Sequence, residues 1–415
     1  MTLIKTSLLN AIAVLVKLLT LLSLNKILAV YVGPSGYAAL GQFQNAMQMI
    51  TTFASGAINT GVTKYTAEYA GDEAKQFTVW RTAGSIAAIG TLLTSLIIFL
   101  LSERLSIWIL QDEKYSSVFV WFAVTLIMLT FNTLLLAILN GKKDIARYVL
   151  ANIAGSFFSL AVTSVMAIQL GLFGALLALA IYQSLTLFVT LYLCLKTPWF
   201  SFNNIIGRVD KKVALNLSKY TAMALTSAVC VPISHIFIRD HLGTTFGWDA
   251  AGYWEAMWRL SSAYLMMVTM TLSVYYLPKL SELKTSASIT NEVVQGYKII
   301  VPVAILAGLC VYALRDFIIV TLFSSDFMPM RDLFAWQLIG DSLKIASWIL
   351  GYILTARALW KTYMLTEIFF SVSFYFLVVG FEQFGIESST IAYAINYALH
   401  LVAMFVILKL KKVLI

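Results

Sequence analysis

Apolar residues along this chain fall into long runs separated by short polar stretches. Each run is about 20 residues or more, the length a helix needs to cross the hydrocarbon core of a bilayer. Twelve such runs can be drawn: 7–31, 36–62, 79–101, 117–139, 147–169, 171–195, 214–238, 250–277, 296–322, 332–356, 359–381 and 386–409. The pattern predicts an all-α integral membrane protein with twelve transmembrane helices in two six-helix lobes, residues 1–195 and 214–415, joined by a cytoplasmic linker at 196–213. The first run is too long for the apolar segment of a signal peptide and no small-residue cleavage site follows it, so it is expected to be retained.

Composition agrees with that pattern: 60% of residues are hydrophobic, only 12% are charged, and the mean hydropathy is +0.84. A soluble domain of this length is far more polar. The net charge of +9 follows from topology. With a cytoplasmic N-terminus, most Lys and Arg fall in the inside loops and flanks, from Lys5, Lys64 and Arg81 through Lys142, Lys196, Arg208 and Lys212 to Lys284, Arg357 and Lys412. The outside loops keep only Arg104, Lys114, Arg239 and Arg331. Both termini are therefore expected to be cytoplasmic. Cations spread over loops in this way do not make a nucleic-acid surface.

Other chemistry is thinly represented. Cys194, Cys230 and Cys310 lie inside apolar runs without paired spacing, and His235 and His400 are single, so neither a disulfide framework nor a metal site is expected. No Walker-type Gly-rich loop is present and no cofactor is implied. No loop is long enough to hold a soluble catalytic domain. The chain also repeats weakly: ERLSIWILQDEKY (Glu103 to Tyr115) sits after the third run as RDFIIVTLFSSDF (Arg315 to Phe327) sits in and after the ninth, and VTKYTAEY and LPKLSEL follow the second and eighth. An even number of helices per half makes these parallel repeats.

RDLFAWQLIGDSLK (Arg331 to Lys344), NTGVTKYTAEY (Asn59 to Tyr69) and SVYYLPKLSEL (Ser273 to Leu283) resemble the Wzx flippases. These form the polysaccharide-transporter branch of the superfamily that includes the multidrug and toxin extrusion (MATE) exporters, and the similarity runs through essentially the whole chain. The resemblance implies a two-lobed transporter of the bacterial inner membrane. Its cargo would be an undecaprenyl-pyrophosphate-linked oligosaccharide, an O-antigen or common-antigen repeat unit, moved from the cytoplasmic to the periplasmic leaflet by alternating access. It further implies membrane lipid, and the polymerase and chain-length regulator of the same glycan pathway, as partners. The two kinds of antigen flippase resemble each other closely, so the family does not name the sugar.

Such cargo needs cations for the phosphates and polar or aromatic groups for the sugars. Lys17, Lys26, Arg259 and Lys344 are the basic residues inside runs and away from their ends. Lys17, Arg259 and Lys344 each sit roughly 14 to 18 Å from one membrane face by helix rise. Arg259 follows Glu255 by four residues and Lys344 follows Asp341 by three, so each pair shares a helix face and its charges can cancel. Lys17 and Lys26 have no acid in their run, which raises the expectation of a cationic pocket drawing on both lobes. Gln42, Asn45 and Gln48 recur at intervals of three as candidates for sugar hydroxyls, or equally for helix–helix hydrogen bonds. Trp258, one turn after Trp254, is placed either to stack on sugars or in an interfacial belt. Asp341 and Glu367 are the carboxylates available for ion coupling.

Two other functions remain open at this level. A MATE-like exporter of small cations shares the fold but needs an acidic interior, whereas bases here match or exceed acids. A polymerase or ligase acting on the same lipid-linked sugars usually carries a long periplasmic loop. For flipping, a pyrophosphate with about two negative charges gains about 2.3 kcal/mol per charge per 100 mV on moving outward, so the membrane potential alone can drive it. Replacing Lys17 or Arg259 by Gln is expected to lower cell-surface glycan at unchanged membrane abundance. Wild-type glycan in a well-expressed variant removes that residue from the site.

Overall fold

The computed structural model describes the backbone of residues 3–283, 285–357 and 359–414, and among these it is helical throughout, without strands. Lys284 lies outside the described residues, as do the side chains of Lys5 and of positions 273, 274, 277 and 278 in the SVYYLPKLSEL run. Fifteen α-helices follow in order: α1 (Leu3–Ala54), α2 (Asn59–Glu68), α3 (Glu73–Leu100), α4 (Ser102–Leu110), α5 (Ser116–Gly141), α6 (Ile145–Leu195), α7 (Phe202–Ile205), α8 (Lys211–Phe246), α9 (Trp248–Thr271), α10 (Leu277–Glu282), α11 (Ser286–Ala313), α12 (Arg315–Leu322), α13 (Phe334–Ala356), α14 (Trp360–Gly380) and α15 (Ser388–Leu410). Among the described residues, eight helical stretches are long and apolar enough to cross a membrane. Two of them, in α1 and α6, are each long enough for two crossings and bend at a glycine; with the further long helices α8 and α9 this is an all-α multi-pass membrane protein.

The bends have a local cause. Gly33 (φ +72°) and Gly171 (φ +58°) take a backbone conformation that a Cβ disfavours, and Pro34 removes a helix hydrogen-bond donor directly after the first. The chain divides into two compact units, residues 1–32 with 39–232, and 33–38 with 233–415. Two of the three divisions fall where helix hydrogen bonding is interrupted, at Gly33–Pro34 and at Pro232 inside α8.

Several predicted spans differ in their ends. The run 36–62 is not one helix: α1 stops at Ala54, Gly56 and Ala57 turn through positive φ, and α2 restarts at Asn59. The run 296–322 breaks after Ala313, while its helix begins earlier, at Ser286, in polar turns that hydropathy does not register. Likewise α8 continues through Arg239, Asp240 and His241 to Phe246, where hydropathy ends the seventh span at the first charges. The segments paired as repeats fold alike. VTKYTAEY and LPKLSEL lie in the short helices α2 and α10, and the other pair forms α4 and α12, each starting after a leucine with φ near −100° and ψ near +10° and each followed by a 3₁₀ turn.

In the first unit, α3, α5 and α6 pack around a core that includes Val62, Trp80, Leu134, Ile138 and Ile205. Two of its buried side chains meet at Thr66: Trp80 Nε1 donates to Thr66 Oγ1 at 2.8 Å, and Gln76 Nε2 to the Thr66 carbonyl at 2.7 Å. Asp72 caps α3 by accepting from Lys75 N at 3.1 Å, and its hydrogen bond to the Lys75 side chain holds its carboxyl below the ordinary value.

In the second unit, α13 is the central helix, and residues of α9, α11 and α15 gather on it around Ile349, Leu350, Ile353, Met404 and Leu408. A Cβ on Gly252 of α9 would come within 1.9 Å of the Pro34 carbonyl oxygen, so glycine there lets the bent segment 33–38 seat on α9. Gly252→Ala is expected to lower stability by about 1–3 kcal/mol, the usual penalty of overpacking, read as a fall in the unfolding temperature of the purified protein. An unchanged temperature overturns the close approach.

Candidate functional site

Two polar groups lie inside the second unit, and α9 contributes side chains to both. The first is a charge triad. Glu255 Oε1 accepts from Arg259 Nε at 2.7 Å, one turn along the same helix, and Glu255 Oε2 accepts from Arg239 Nε of α8 at 3.0 Å. Arg239 is 1% exposed and Glu255 3%. One carboxylate is thus shared by two guanidiniums, leaving one positive charge in excess. Aromatic faces cover the cations: Arg239 lies 5.5 Å from the Trp254 ring and Arg259 5.2 Å from Tyr37.

Arg239 was expected in an outside loop; it is instead a buried member of this triad. The error is physical. A charged cluster at the end of an apolar run reads as a loop, whereas α8 continues through it to Phe246 and Arg239 is buried against Glu255 of α9. Trp254 is likewise buried, against His235 and Arg239, and does not belong to an interfacial belt.

The second group is centred on α13. Asp341 is fully buried and accepts four hydrogen bonds from neutral donors. Ser261 Oγ donates to Oδ2 at 2.5 Å and the Tyr264 hydroxyl donates to the same oxygen; Tyr393 OH donates to Oδ1 at 2.8 Å and Gln337 Nε2 to Oδ1 at 3.3 Å. Gln337, Asp341 and Lys344 share the stripe expected from their spacing, but the two charges make no ion pair. Lys344 Nζ stands over aromatic rings, 4.6 Å from Trp258, 4.9 Å from Trp348, 5.4 Å from Tyr397 and 5.6 Å from Tyr393. It is 7% exposed and makes no hydrogen bond or ion pair among the described residues, with Asp341 and Glu367 acting on it only at longer range.

Trp258 ties the groups together. It directly precedes Arg259 in sequence, packs at 4.2 Å on His235 and at 5.5 Å on Tyr393, and offers a face to Lys344. Tyr393 serves both halves of the second group, its hydroxyl on Asp341 and its ring towards Lys344. A Cβ on Gly340 would lie 2.2 Å from the Tyr393 ring, so glycine at 340 is what lets that tyrosine reach both.

The structure therefore brings together Arg259, Trp258, Asp341 and Lys344 of the predicted residues, and adds Arg239, Glu255, Tyr264, Trp348, Tyr393 and Tyr397. Glu367 is half-buried on α14. Lys17, Lys26, Gln42, Asn45 and Gln48 all lie on α1, in the first unit. Lys17 is exposed and Lys26 half-buried. The three amides grade from buried Gln42 through half-buried Asn45 to exposed Gln48, because steps of three residues rotate about 60° short of a full turn on a helix of 3.6 residues per turn. Among the described residues no group of three His, Cys, Asp or Glu side chains is placed to hold a metal ion. What the second-unit arrangement offers chemically is cation for anions, and ring faces and hydroxyls for a ringed, hydroxylated ligand.

A family profile described as "Polysaccharide biosynthesis protein" matches residues 3–284. The chain is 34% identical over 368 residues to the proteins named Lipid III flippase from Escherichia coli (strain K12) and Shigella flexneri, a match covering 89% of this chain and 88% of each relative. Among solved structures, the fold is similar to the inward-facing conformation of a multidrug resistance MATE family transporter of the MOP superfamily (TM-score 0.76, 14% identity, 96% of this chain and 94% of that one). It is also similar to a MATE in the straight conformation (TM-score 0.69, 16% identity, 99% and 95%).

Because Asp341 faces hydroxyls and Lys344 faces rings, exchanging them (Asp341→Lys with Lys344→Asp) is expected to restore neither the membrane abundance nor the activity lost in the single variants. A lysine at 341 would have to fit its longer side chain among the fully packed Ser261, Tyr264, Gln337 and Tyr393, and a carboxylate at 344 would meet the negative faces of four rings. Recovery of abundance in the double variant would show that the two charges answer only to each other.

Proposed function

Because the chain belongs to the polysaccharide biosynthesis protein family, we propose that it is a flippase for a polyprenyl-diphosphate-linked oligosaccharide, moved from the cytoplasmic to the periplasmic leaflet of a bacterial inner membrane. Two relatives that share a third of its residues over most of their length carry the name Lipid III flippase. The observation that carries the reading onto this chain's own residues is Lys344, a buried ammonium with no ion-pair partner among the described residues, boxed by Trp258, Trp348, Tyr393 and Tyr397.

In this reading the excess charge of the Arg239–Glu255–Arg259 triad and the Lys344 ammonium receive the diphosphate, which competes with Glu255 for the guanidiniums. The faces of Trp258, Trp348 and Tyr397 stack on the adjoining sugar, and Gln42, Asn45 and Gln48 take hydroxyls during passage. Lys17 and Lys26 attract the phosphates as the cargo enters. The halves 1–195 and 214–415, linked by 196–213, move as bodies while access alternates, with both termini on the cytoplasmic side. Carrying about two negative charges outward is downhill in the membrane potential, by about 2.3 kcal/mol per charge per 100 mV. Asp341 and Glu367 are the carboxylates that ion coupling would use. The polymerase and chain-length regulator of the same glycan pathway receive the flipped unit.

A small-cation exporter is the weaker reading: it needs a carboxylate left for the cation, whereas Glu255 is already shared by two arginines and Asp341 is filled by four donors. The deciding experiment reconstitutes the purified protein in liposomes with a defined lipid-linked sugar under an imposed, outside-positive potential. The expected result is flipping above that of empty liposomes, faster with the potential. Lys344→Gln is expected to slow it about tenfold or more, equivalent to ~1.4 kcal/mol in the barrier. No flipping above empty liposomes, or equal transport of a lipid-linked sugar lacking the diphosphate, overturns the reading.

A further inference from the structure

An apolar cavity of about 220 Å³ opens in the first unit, lined by residues of α3, α5 and α6 and apart from every residue assigned to the cargo. Ala88, Ile127, Phe131 and Leu187 form its walls, and Phe202 and Ile206, from the connection between α6 and α8, close its floor. Its one polar lining residue, Thr130, already accepts from Thr91 at 3.0 Å and donates to the Leu126 carbonyl at 3.1 Å. Water in such a space would lack the two to four polar partners it needs. The fitting occupant is hydrocarbon.

The floor is firmly built. Arg81 Nε donates to the Asn203 carbonyl at 2.7 Å, Ser85 Oγ to the Gly207 carbonyl at 2.7 Å, and Asp210 N to Thr82 Oγ1 at 3.1 Å. A Cβ on Gly84 would come within 2.0 Å of the Ile205 carbonyl oxygen, so the segment lies directly on α3. Phe202 and Ile206 are nonetheless 54% and 49% exposed. Directly after them come Arg208, Lys211 and Lys212, all exposed, and the one acid of the connection, Asp210, is occupied in capping Val213 N at 2.9 Å. Apolar side chains reaching into the acyl region beside a short run of free cations is the arrangement that binds anionic headgroups at a membrane surface.

We propose that this cavity seats an acyl chain of an anionic phospholipid of the surrounding leaflet, whose headgroup is held by Arg208, Lys211 and Lys212. A resident phospholipid fits better than the tail of a transported lipid. The walls and floor are tied by several hydrogen bonds and do not need to open, whereas a cargo tail has to leave in every cycle. The bound lipid fills the void and fastens the connection 196–213 to α3.

The test uses the purified full-length protein in detergent, with dioleoyl-phosphatidylglycerol and dioleoyl-phosphatidylcholine as probes, read by native mass spectrometry and by unfolding temperature. Phosphatidylglycerol is expected to raise the unfolding temperature by several degrees and to be retained about tenfold or more over phosphatidylcholine, as three interfacial cations imply. Ala88→Phe, which fills the cavity, should lose that retention. The triple variant Arg208→Gln, Lys211→Gln, Lys212→Gln should lose the preference between the two lipids. Ile206→Ser, at a half-exposed position, repeats the cavity test if Ala88→Phe folds poorly. Equal retention of the two lipids by the wild type, wild-type retention in Ala88→Phe and Ile206→Ser, or displacement of phosphatidylglycerol by an equimolar polyprenyl phosphate each overturns the proposal, the last by giving the slot to the cargo's tail.

Discussion

Inside the hydrocarbon core no water is available to a buried charge, so each one has to be met within the protein. In the second unit this requirement is concentrated on Glu255. Its two oxygens hold Arg259 on its own helix and Arg239 on α8. Removing Glu255 would leave two buried guanidiniums without the acid they share, at a cost of about 3–5 kcal/mol. The triad therefore fixes how α9 is rotated against α8, and with it the direction of the neighbouring stripe Trp254, Trp258 and Ser261. That stripe in turn carries the ring that faces Lys344 and the hydroxyl that meets Asp341.

Asp341 and Lys344 meet the same requirement in two other ways. The carboxylate is satisfied by neutral donors from α9, α13 and α15, and the ammonium by the faces of aromatic rings. Ring faces stabilise a cation without neutralising it. The result is a charge that is tolerated in the bilayer yet still able to attract an anion. An Asp341–Lys344 ion pair would have cancelled it. The close packing of α15 on α13 at Gly340 supports this division, since Tyr393 must approach both groups at once.

The first unit contains no comparable buried charge cluster among the described residues. Its interior polarity is carried by hydroxyls and amides such as Thr66, Thr91, Thr130 and Ser184, which bond to neighbouring helices. Apart from Lys17 and Lys26 within α1, its cations gather at loops and near helix ends, where Arg81 fastens the 196–213 connection to α3 and Arg208, Lys211 and Lys212 stay exposed.

The hydrophobic pattern by itself determined that the chain is helical and crosses a membrane many times, because in lipid the backbone must bond within each helix and the run length is set by bilayer thickness. The Glu255–Arg259 pair was legible for the same kind of reason: i and i+4 are neighbours on any helix. Helix ends were less so, since polar turns such as those opening α11 look like loops once they leave the apolar run. Only the tertiary structure decided that Arg239 is buried, that Asp341 and Lys344 turn to separate partners, and that Gln42 is covered while Gln48 is exposed. Those outcomes depend on side chains from other helices, Ser261, Tyr264 and Tyr393 lying more than fifty residues from Asp341 along the chain. Spacing within one helix says which residues share a face, but which helix that face meets is settled by packing.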